Sequence, residues 1–258
     1  MSGSAISDSN AITPSSPWWT SVMGILLGAD RTVEPLAFCR PTRSSVDAMD
    51  LAALRAEYAL GGLHESDLAP DPVTMFRTWM SDAAASGMHE PNAMVVATVS
   101  ADGLPSSRMV LLKGVGEDGF RFFTNLGSRK GAELSANHRC SLLFPWHPLE
   151  RQVRIDGIAE ELPRGDVAAY FATRPRGAQL GAWASRQSRA VHSRAELDEA
   201  FAAMEARFPN EVPLPDWWGG YVVVPDAVEF WQGRPGRMHD RLVYRREPDG
   251  WRTERLAP

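Results

Sequence analysis

Lysine is almost missing from this chain. Two residues of the 258 are lysine, Lys113 and Lys130, against 25 arginines. Where a bare positive charge suffices, the chain uses Arg. The two places that keep a compact charge on a flexible stem are therefore places where that chemistry is wanted. Both fall in one short stretch, from Arg108-Met-Val-Leu-Leu-Lys113 to Ser128-Arg129-Lys130. A basic excess is missing as well: the net charge is −5, which argues against a duplex nucleic-acid surface. The arginines are clustered, and that suits a small anionic ligand better than a polymer. Cysteine is scarce. Cys39 and Cys140 lie far apart without metal-ligand spacing, which points to a reducing compartment, the cytoplasm, and to no bound metal. No apolar run approaches the roughly 18 residues of a membrane span, so no membrane partner is expected. A Ser-His-Asp order, a paired-carboxylate pattern and an HExxH motif are all absent. The chemistry is then expected to belong to a bound cofactor.

What is present is an ordinary globular composition. Hydrophobic residues make up 44% and charged residues 23%, enough for a normal buried core. Residues 1–46 differ, being rich in Ser, Pro and Thr, with Trp18-Trp19 and a brief Val22-Met-Gly-Ile-Leu-Leu run. No basic residues precede that run, so it does not read as a signal peptide. Residues 1–48 are read as a disordered extension or an upstream mis-assigned start, with Met49 a natural start and residues 49–258 as one domain.

A helix is expected over 50–60, where Leu51, Leu54 and Tyr58 share a period and Gly61-Gly62 ends it. Asp71-Pro72 opens a second helix, with Met75, Phe76, Trp79 and Ala83 on its apolar face and Gly87 as its stop. Strands are expected at 92–100, 107–115, 120–124, 140–145 and 151–160. A short helix over 129–137 interrupts them. In 151–160, Val153 and Ile155 alternate with Gln152, Arg154 and Asp156. Helices follow at 164–173, 177–185 and 194–207. Strands at 219–231 and 239–254 close the chain, the latter turning at Pro248-Asp249-Gly250. The pattern predicts an α+β fold, a barrel or strongly bent antiparallel sheet with flanking helices.

Three constellations stand out. Ser128-Arg129-Lys130 begins a helix, where free N–H groups and two cations make a site for a dianionic phosphate. Arg237, His239 and Arg241 stand at i, i+2 and i+4, so on a strand they project from one face and ask for an anion among them. Tyr170 and Arg174 share a helix face at i, i+4. Gln187-Ser188 follows the small-residue stretch 177–185 and either hydrogen-bonds a ligand or caps a helix. Two separated phosphate clamps suggest two phosphorylated molecules.

The ordered motifs Arg108-Met-Val-Leu-Leu-Lys113, Phe123-Thr-Asn-Leu-Gly-Ser-Arg-Lys130, Leu142-Leu-Phe-Pro-Trp-His147, Leu149-Glu-Arg-Gln152, Arg174-Pro-Arg176, Gly181-Ala-Trp183, Trp218-Gly-Gly220, Glu229-Phe-Trp-Gln-Gly233 and Arg237-Met-His-Asp-Arg241 closely resemble pyridoxine/pyridoxamine 5′-phosphate oxidase. The resemblance runs from about Leu51 to the terminal Pro258. It implies a split β-barrel with flanking helices, a homodimer, and FMN at the subunit interface. It implies that Arg108, Met109, Val110, Leu111, Leu112 and Lys113 line the flavin. Phe123, Thr124, Arg129, Lys130 and Gln152 hold FMN, and Gln187, Ser188, Trp231 and Arg241 complete that site. For the substrate it implies Lys113, Tyr170 and Arg174 at the phosphate, and Arg237 and His239 as catalytic residues over the ring. Arg55 and Tyr58 match a segment that covers the substrate. Ala178 stands where the family often has a phosphate-binding Ser, and Phe123 where Tyr is common. The implied reaction oxidises pyridoxamine or pyridoxine 5′-phosphate to pyridoxal 5′-phosphate, with dioxygen as acceptor and hydrogen peroxide as product. Two other readings are a split-barrel oxidoreductase using another flavin or a deazaflavin, and a non-catalytic flavin or pyridoxal-phosphate carrier. The Arg237-x-His239 and Tyr170/Arg174 pairs speak against the first.

Overall fold

Asp71 starts the first long helix by local chemistry. Its carboxylate accepts from the N–H groups of Val73 and Thr74, and Pro72 sits where a missing N–H costs nothing. The computed structural model describes residues 50–258 apart from Arg55. The expectations for residues 1–48 and for Arg55 lie outside the described residues. In chain order the elements are α1 (Pro72–Ala85), β1 (Ala93–Val99), β2 (Pro105–Leu111), β3 (Gly114–Gly116), β4 (Gly119–Asn125), α2 (Arg129–Ala136), β5 (Arg139–Trp146), β6 (Arg151–Glu161), α3 (Arg164–Thr173), α4 (Arg176–Ala184), α5 (Arg194–Arg207), β7 (Trp218–Gln232), β8 (Asp240–Glu247) and β9 (Gly250–Arg255).

The sheet runs β2-β1-β5-β6-β7-β4-β3, with β8 on β7 and β9 on β8. All its pairings are antiparallel. The strand β7 makes this possible. One of its edges follows β6, while its opposite edge pairs first with β4 through 218–223 and then with β8 through 227–232. Between the two halves lies a bulge. Asp156 faces Ala227 and Gly157 faces Pro225, so Asp226 is the extra residue. Pro225 fits there because a bulge does not require its missing N–H. Gly157 fits because a Cβ would come within 2.2 Å of the Val224 carbonyl oxygen. The bulge bends β7 and curls the sheet into a half-barrel, the split-barrel architecture expected from sequence.

The apolar face of α1 fills the hollow of that sheet. Phe76 packs edge-on to Phe120 and Phe144, each at 4.9 Å, and Trp79 packs on Phe230 at 5.1 Å. A second apolar cluster joins α3 and α4 to β7 through Leu162, Val167, Phe171, Leu180, Val212, Trp218 and Val222. This smaller cluster builds one wall of the site.

Four local expectations are corrected. The helix expected over 50–60 is only a 3-10 turn at Leu51–Ala53. The N–H groups of Ala59 and Leu60 instead donate to the Glu150 carboxylate at 2.8 and 2.9 Å, a tertiary contact that takes the donors a helix needs. The strand expected over 107–115 is two strands, because Leu112 N–H turns to Asn92 O and Lys113 N–H to Arg121 O. Arg174 does not continue the helix of Tyr170. It is the C-terminal cap of α3, extended and followed by a proline. Arg237 and His239 precede β8 rather than lie on it. Gly236 and Arg237 both have left-handed backbones, with φ of 63° and 64°. The three-residue alternation from Arg237 to Arg241 therefore does not exist.

Replacing Gly157 with Ala is expected to destabilise the protein by about 1–3 kcal/mol, since backbone must move to admit the Cβ. A denaturant midpoint unchanged from the parent would contradict this account of the bulge.

Candidate functional site

Ser128 caps α2 through its hydroxyl, which accepts from Gly131 N–H, and this sets Arg129 and Lys130 on the first turn. They face a cleft of about 800 Å³. β2 supplies Arg108, Met109, Val110 and Leu111, and the following residue but one, Lys113, stands at its edge. β4 supplies Phe123 and Thr124; α3 and its cap supply Tyr170 and Arg174; α4 supplies Ala178; the segment after α4 supplies Gln187 and Ser188. Most of the residues expected at a flavin or phosphate thus line one cavity. Leu112 does not, being packed in the core.

Lys130 is buried. Its Nζ donates to Gln187 Oε1 (2.7 Å), Thr124 Oγ1 (2.8 Å) and Ser128 Oγ (3.3 Å). Among the described residues no carboxylate pairs with it. Burial first, and the nearby Arg108 charge second, pull its pKa down to about 8. The cleft has a second such cation. The Arg174 guanidinium lies 4.7 Å over the Trp218 ring, and its buried Nη1 has no hydrogen-bond partner. Phe123 stacks on Tyr170 at 3.9 Å and 11°, and on Trp218 at 5.5 Å and 4°. This aromatic stack holds the wall that carries Arg174. An aromatic ring suffices for that contact, so Phe at position 123 keeps it.

One residue behind the cleft was missed by sequence reasoning. Glu133 is buried and accepts from Arg129 Nε (2.7 Å), Arg108 Nη2 (3.2 Å) and the hydroxyls of Thr98 and Ser106. Burial alone raises a carboxyl pKa, but these donors outweigh it and bring Glu133 down to about 2. Its signal in the sequence was the i, i+4 spacing from Arg129 on a helix.

The remaining expected residues form a second cluster that does not line this cleft. Gln152 faces Trp231 across the β6–β7 ladder, and Trp231 faces Arg241 across β7–β8. The buried Glu229 holds Arg241 with two bonds of 2.8 and 3.1 Å and pairs with Arg154 at 2.8 Å. A lone carboxylate in an apolar strand was the available signal for Glu229. His239 lies 4.6 Å from the Trp231 ring and 5.6 Å from Tyr58. Its Nδ1 accepts from Arg234 N–H at 3.1 Å, so the neutral ring carries its proton on Nε2. Tyr58 reaches this place because residue 233 is glycine: a Cβ there would come within 2.8 Å of the Tyr58 ring. Arg237 is exposed on the turn beside the cluster.

A curled half-barrel with a cation-lined cleft defines a split-barrel protein. Comparisons with known proteins agree. A family model described as pyridoxamine 5′-phosphate oxidase matches residues 80–208, and one described as the pyridoxine 5′-phosphate oxidase C-terminal dimerisation region matches residues 218–258. A curated pyridoxine/pyridoxamine 5′-phosphate oxidase from Nocardioides sp. is 68% identical over 210 residues, covering 81% of this chain and 99% of that one. Its counterpart from Rubrobacter xylanophilus is 55% identical over 210 residues, covering 81% and 97%. Among solved structures, PhzG from Burkholderia lata, in complex with tetrahydrophenazine-1-carboxylic acid, superposes with a TM-score of 0.72. It is 30% identical and covers 76% of this chain and 98% of that one. This chain belongs to the pyridoxine/pyridoxamine 5′-phosphate oxidase family, whose members are oxidoreductases. Among the described residues no helix is long and apolar enough to cross a membrane.

The pKa of Lys130 makes anion binding pH-dependent. An anion in the cleft favours the charged ammonium, and the free protein loses that charge as pH rises through about 8. Sulfate, which does not titrate in this range, is expected to bind more weakly above pH 8 than below it. Lys130→Met should weaken binding and flatten the step. Calorimetric titration that finds the same pH step in both proteins would assign it to another group.

Proposed function

We propose that the chain is an FMN-dependent oxidase that converts pyridoxamine 5′-phosphate and pyridoxine 5′-phosphate to pyridoxal 5′-phosphate, with dioxygen as acceptor and hydrogen peroxide as product. The observation that carries this reading is the pair of cations in one cleft that, among the described residues, lack an anionic partner. Lys130 is buried without a carboxylate, and Arg174 has a buried nitrogen without an acceptor. Two phosphates, one on the cofactor and one on the substrate, satisfy both. The residues therefore fit the cofactor that the family uses.

In this reading Arg129, Lys130, Thr124, Gln187 and Ser188 hold the FMN phosphate end. Arg108 through Leu111 and Lys113 line the flavin, with Leu112 packed in the core behind them. Lys113, Tyr170 and Arg174 hold the substrate phosphate, with Ala178 leaving out one hydroxyl donor. Bound FMN supplies the two-electron acceptor for the C4′ carbon. The protein's part is to lock both phosphates and hold the reacting carbon in near-attack geometry. Arg237 stabilises charge that develops on the substrate, and His239, with its proton on Nε2, handles proton transfer. Tyr58 closes over the ring from the His239 side, and Arg55 is assigned beside it from the resemblance.

The enzyme is proposed to work as a homodimer. Gln152, Trp231, Arg237, His239 and Arg241 do not line the cleft of their own chain. All but Gln152 fall within the segment that matches a dimerisation region. A partner subunit that brings this second cluster to each cleft makes the site complete. A cytoplasmic location is part of the same proposal, supported by the free thiol of the buried Cys140.

The test is direct. The purified protein should take up one FMN per subunit, sediment as a dimer, and form peroxide with pyridoxamine 5′-phosphate. FMN uptake without peroxide formation would point to a carrier instead.

Arg237→Ala is expected to lower turnover about ten- to a hundredfold while leaving FMN affinity nearly unchanged. Arg241→Ala should instead weaken FMN retention. If Arg237→Ala loses flavin yet turns over normally with FMN resupplied, the roles of these two residues are misassigned.

A further inference from the structure

We propose that Glu133 is a positioning residue for the cofactor, a single buried carboxylate that holds in place Arg108 and Arg129, two cleft-lining residues from different elements. The inference rests on the FMN reading above. Arg108 comes from β2 and Arg129 from the start of α2, and Glu133 is where the two meet. The contact is organised by two hydroxyls. Thr98 and Ser106 stand opposite each other on β1 and β2. Each accepts from Arg108 and donates to Glu133 Oε2. A hydroxyl has one proton to give, so this arrangement runs in one direction, from guanidinium to hydroxyl to carboxylate. It requires an ionised acceptor at its end, and Glu133 supplies one.

Glu133 is not among the residues that line the cleft, so it acts through the arginines. Arg129 spends only its Nε on the carboxylate, which leaves both terminal nitrogens for an anion in the cleft. The side chain of Arg129 is 57% exposed and that of Glu133 5%. The exposed, rotamer-rich arginine is thus pinned by a fixed partner before any ligand arrives, and less ordering remains to be done on binding. The same carboxylate balances the charge of Arg108, whose field also lowers the pKa of Lys130. Removing the acceptor frees Arg129 and takes one partner from Arg108, which keeps the Val96 and Ser106 carbonyls and the two hydroxyls. Removing only the charge leaves both arginines held but makes the flavin end of the cleft more positive.

The experiment is an FMN titration of the apo-protein, followed by flavin fluorescence, with wild type, Glu133→Ala, Glu133→Gln, Arg129→Ala and the Glu133→Ala/Arg129→Ala double variant. Glu133→Ala is expected to weaken FMN binding about tenfold, and Glu133→Gln to recover most of that loss because its amide oxygen still accepts. Arg129→Ala should cost a smaller factor in the Glu133→Ala background than in wild type. In Glu133→Gln the bound flavin should have a more positive midpoint potential, because the Arg108 charge is no longer balanced. Equal factors for Arg129→Ala in both backgrounds would overturn the proposal. If Glu133→Ala does not fold, an unchanged potential in Glu133→Gln would overturn it instead. A wild-type protein that binds no FMN defeats the cofactor reading, and this inference with it. A wild type that binds FMN with indifferent variants defeats this inference alone.

Discussion

One bent strand carries both the wall of the cleft and the second cluster. β7 is 15 residues long and must satisfy β6 along one edge and two different strands along the other. The bulge at Asp226 is what lets a single strand do this. Before the bulge, β7 places Trp218 against Phe123 and Arg174, at the cleft. After it, β7 places Glu229 and Trp231 beside Arg241 and His239, at the second cluster. The separation of the cleft-lining residues from the second cluster within one chain follows from this bend.

Charge is distributed across these two places in different ways. In the second cluster Glu229 is shared by Arg154 and Arg241, and behind the cleft Glu133 is shared by Arg108 and Arg129. Each buried carboxylate thus has two cationic partners. Within the cleft the balance is reversed. Lys130 has only neutral acceptors, and Arg174 leans on an aromatic face in place of an anion. A buried charge without a partner costs several kcal/mol in the empty protein. An anion bound there would offset that cost. Lys130 shows the strain as a lowered pKa. An arginine in its place would stay charged at any accessible pH, so lysine makes this end of the cleft responsive to pH.

Much of the architecture was legible from local pattern. Asp71-Pro72 gave a helix start that the backbone reproduces, and the alternation of Val153 and Ile155 gave the buried face of β6. These readings succeed because capping and pleat depend on residues within a few positions of one another. The failures share a cause as well. Residues 50–60 have helical spacing, but Glu150, some ninety positions away, captures the N–H groups of Ala59 and Leu60. Arg237, His239 and Arg241 alternate in sequence, yet Gly236 and Arg237 turn left-handed and break the alternation before β8 begins.

The sequence by itself determined the chemistry of the site. It kept lysine in only two places, set Arg129 and Lys130 on a capped helix start, and spaced its motifs in the order of one enzyme family. Residue type and short-range spacing are enough for that, because cation, cap and motif are local properties. Only the tertiary structure decided which of those residues act together. It separated Arg241 from the cleft, withdrew Leu112 into the core, and brought Arg108 onto Glu133. Those outcomes depend on strand pairing and on a bend in β7. Contacts between residues far apart in sequence leave no periodic trace from which they can be read.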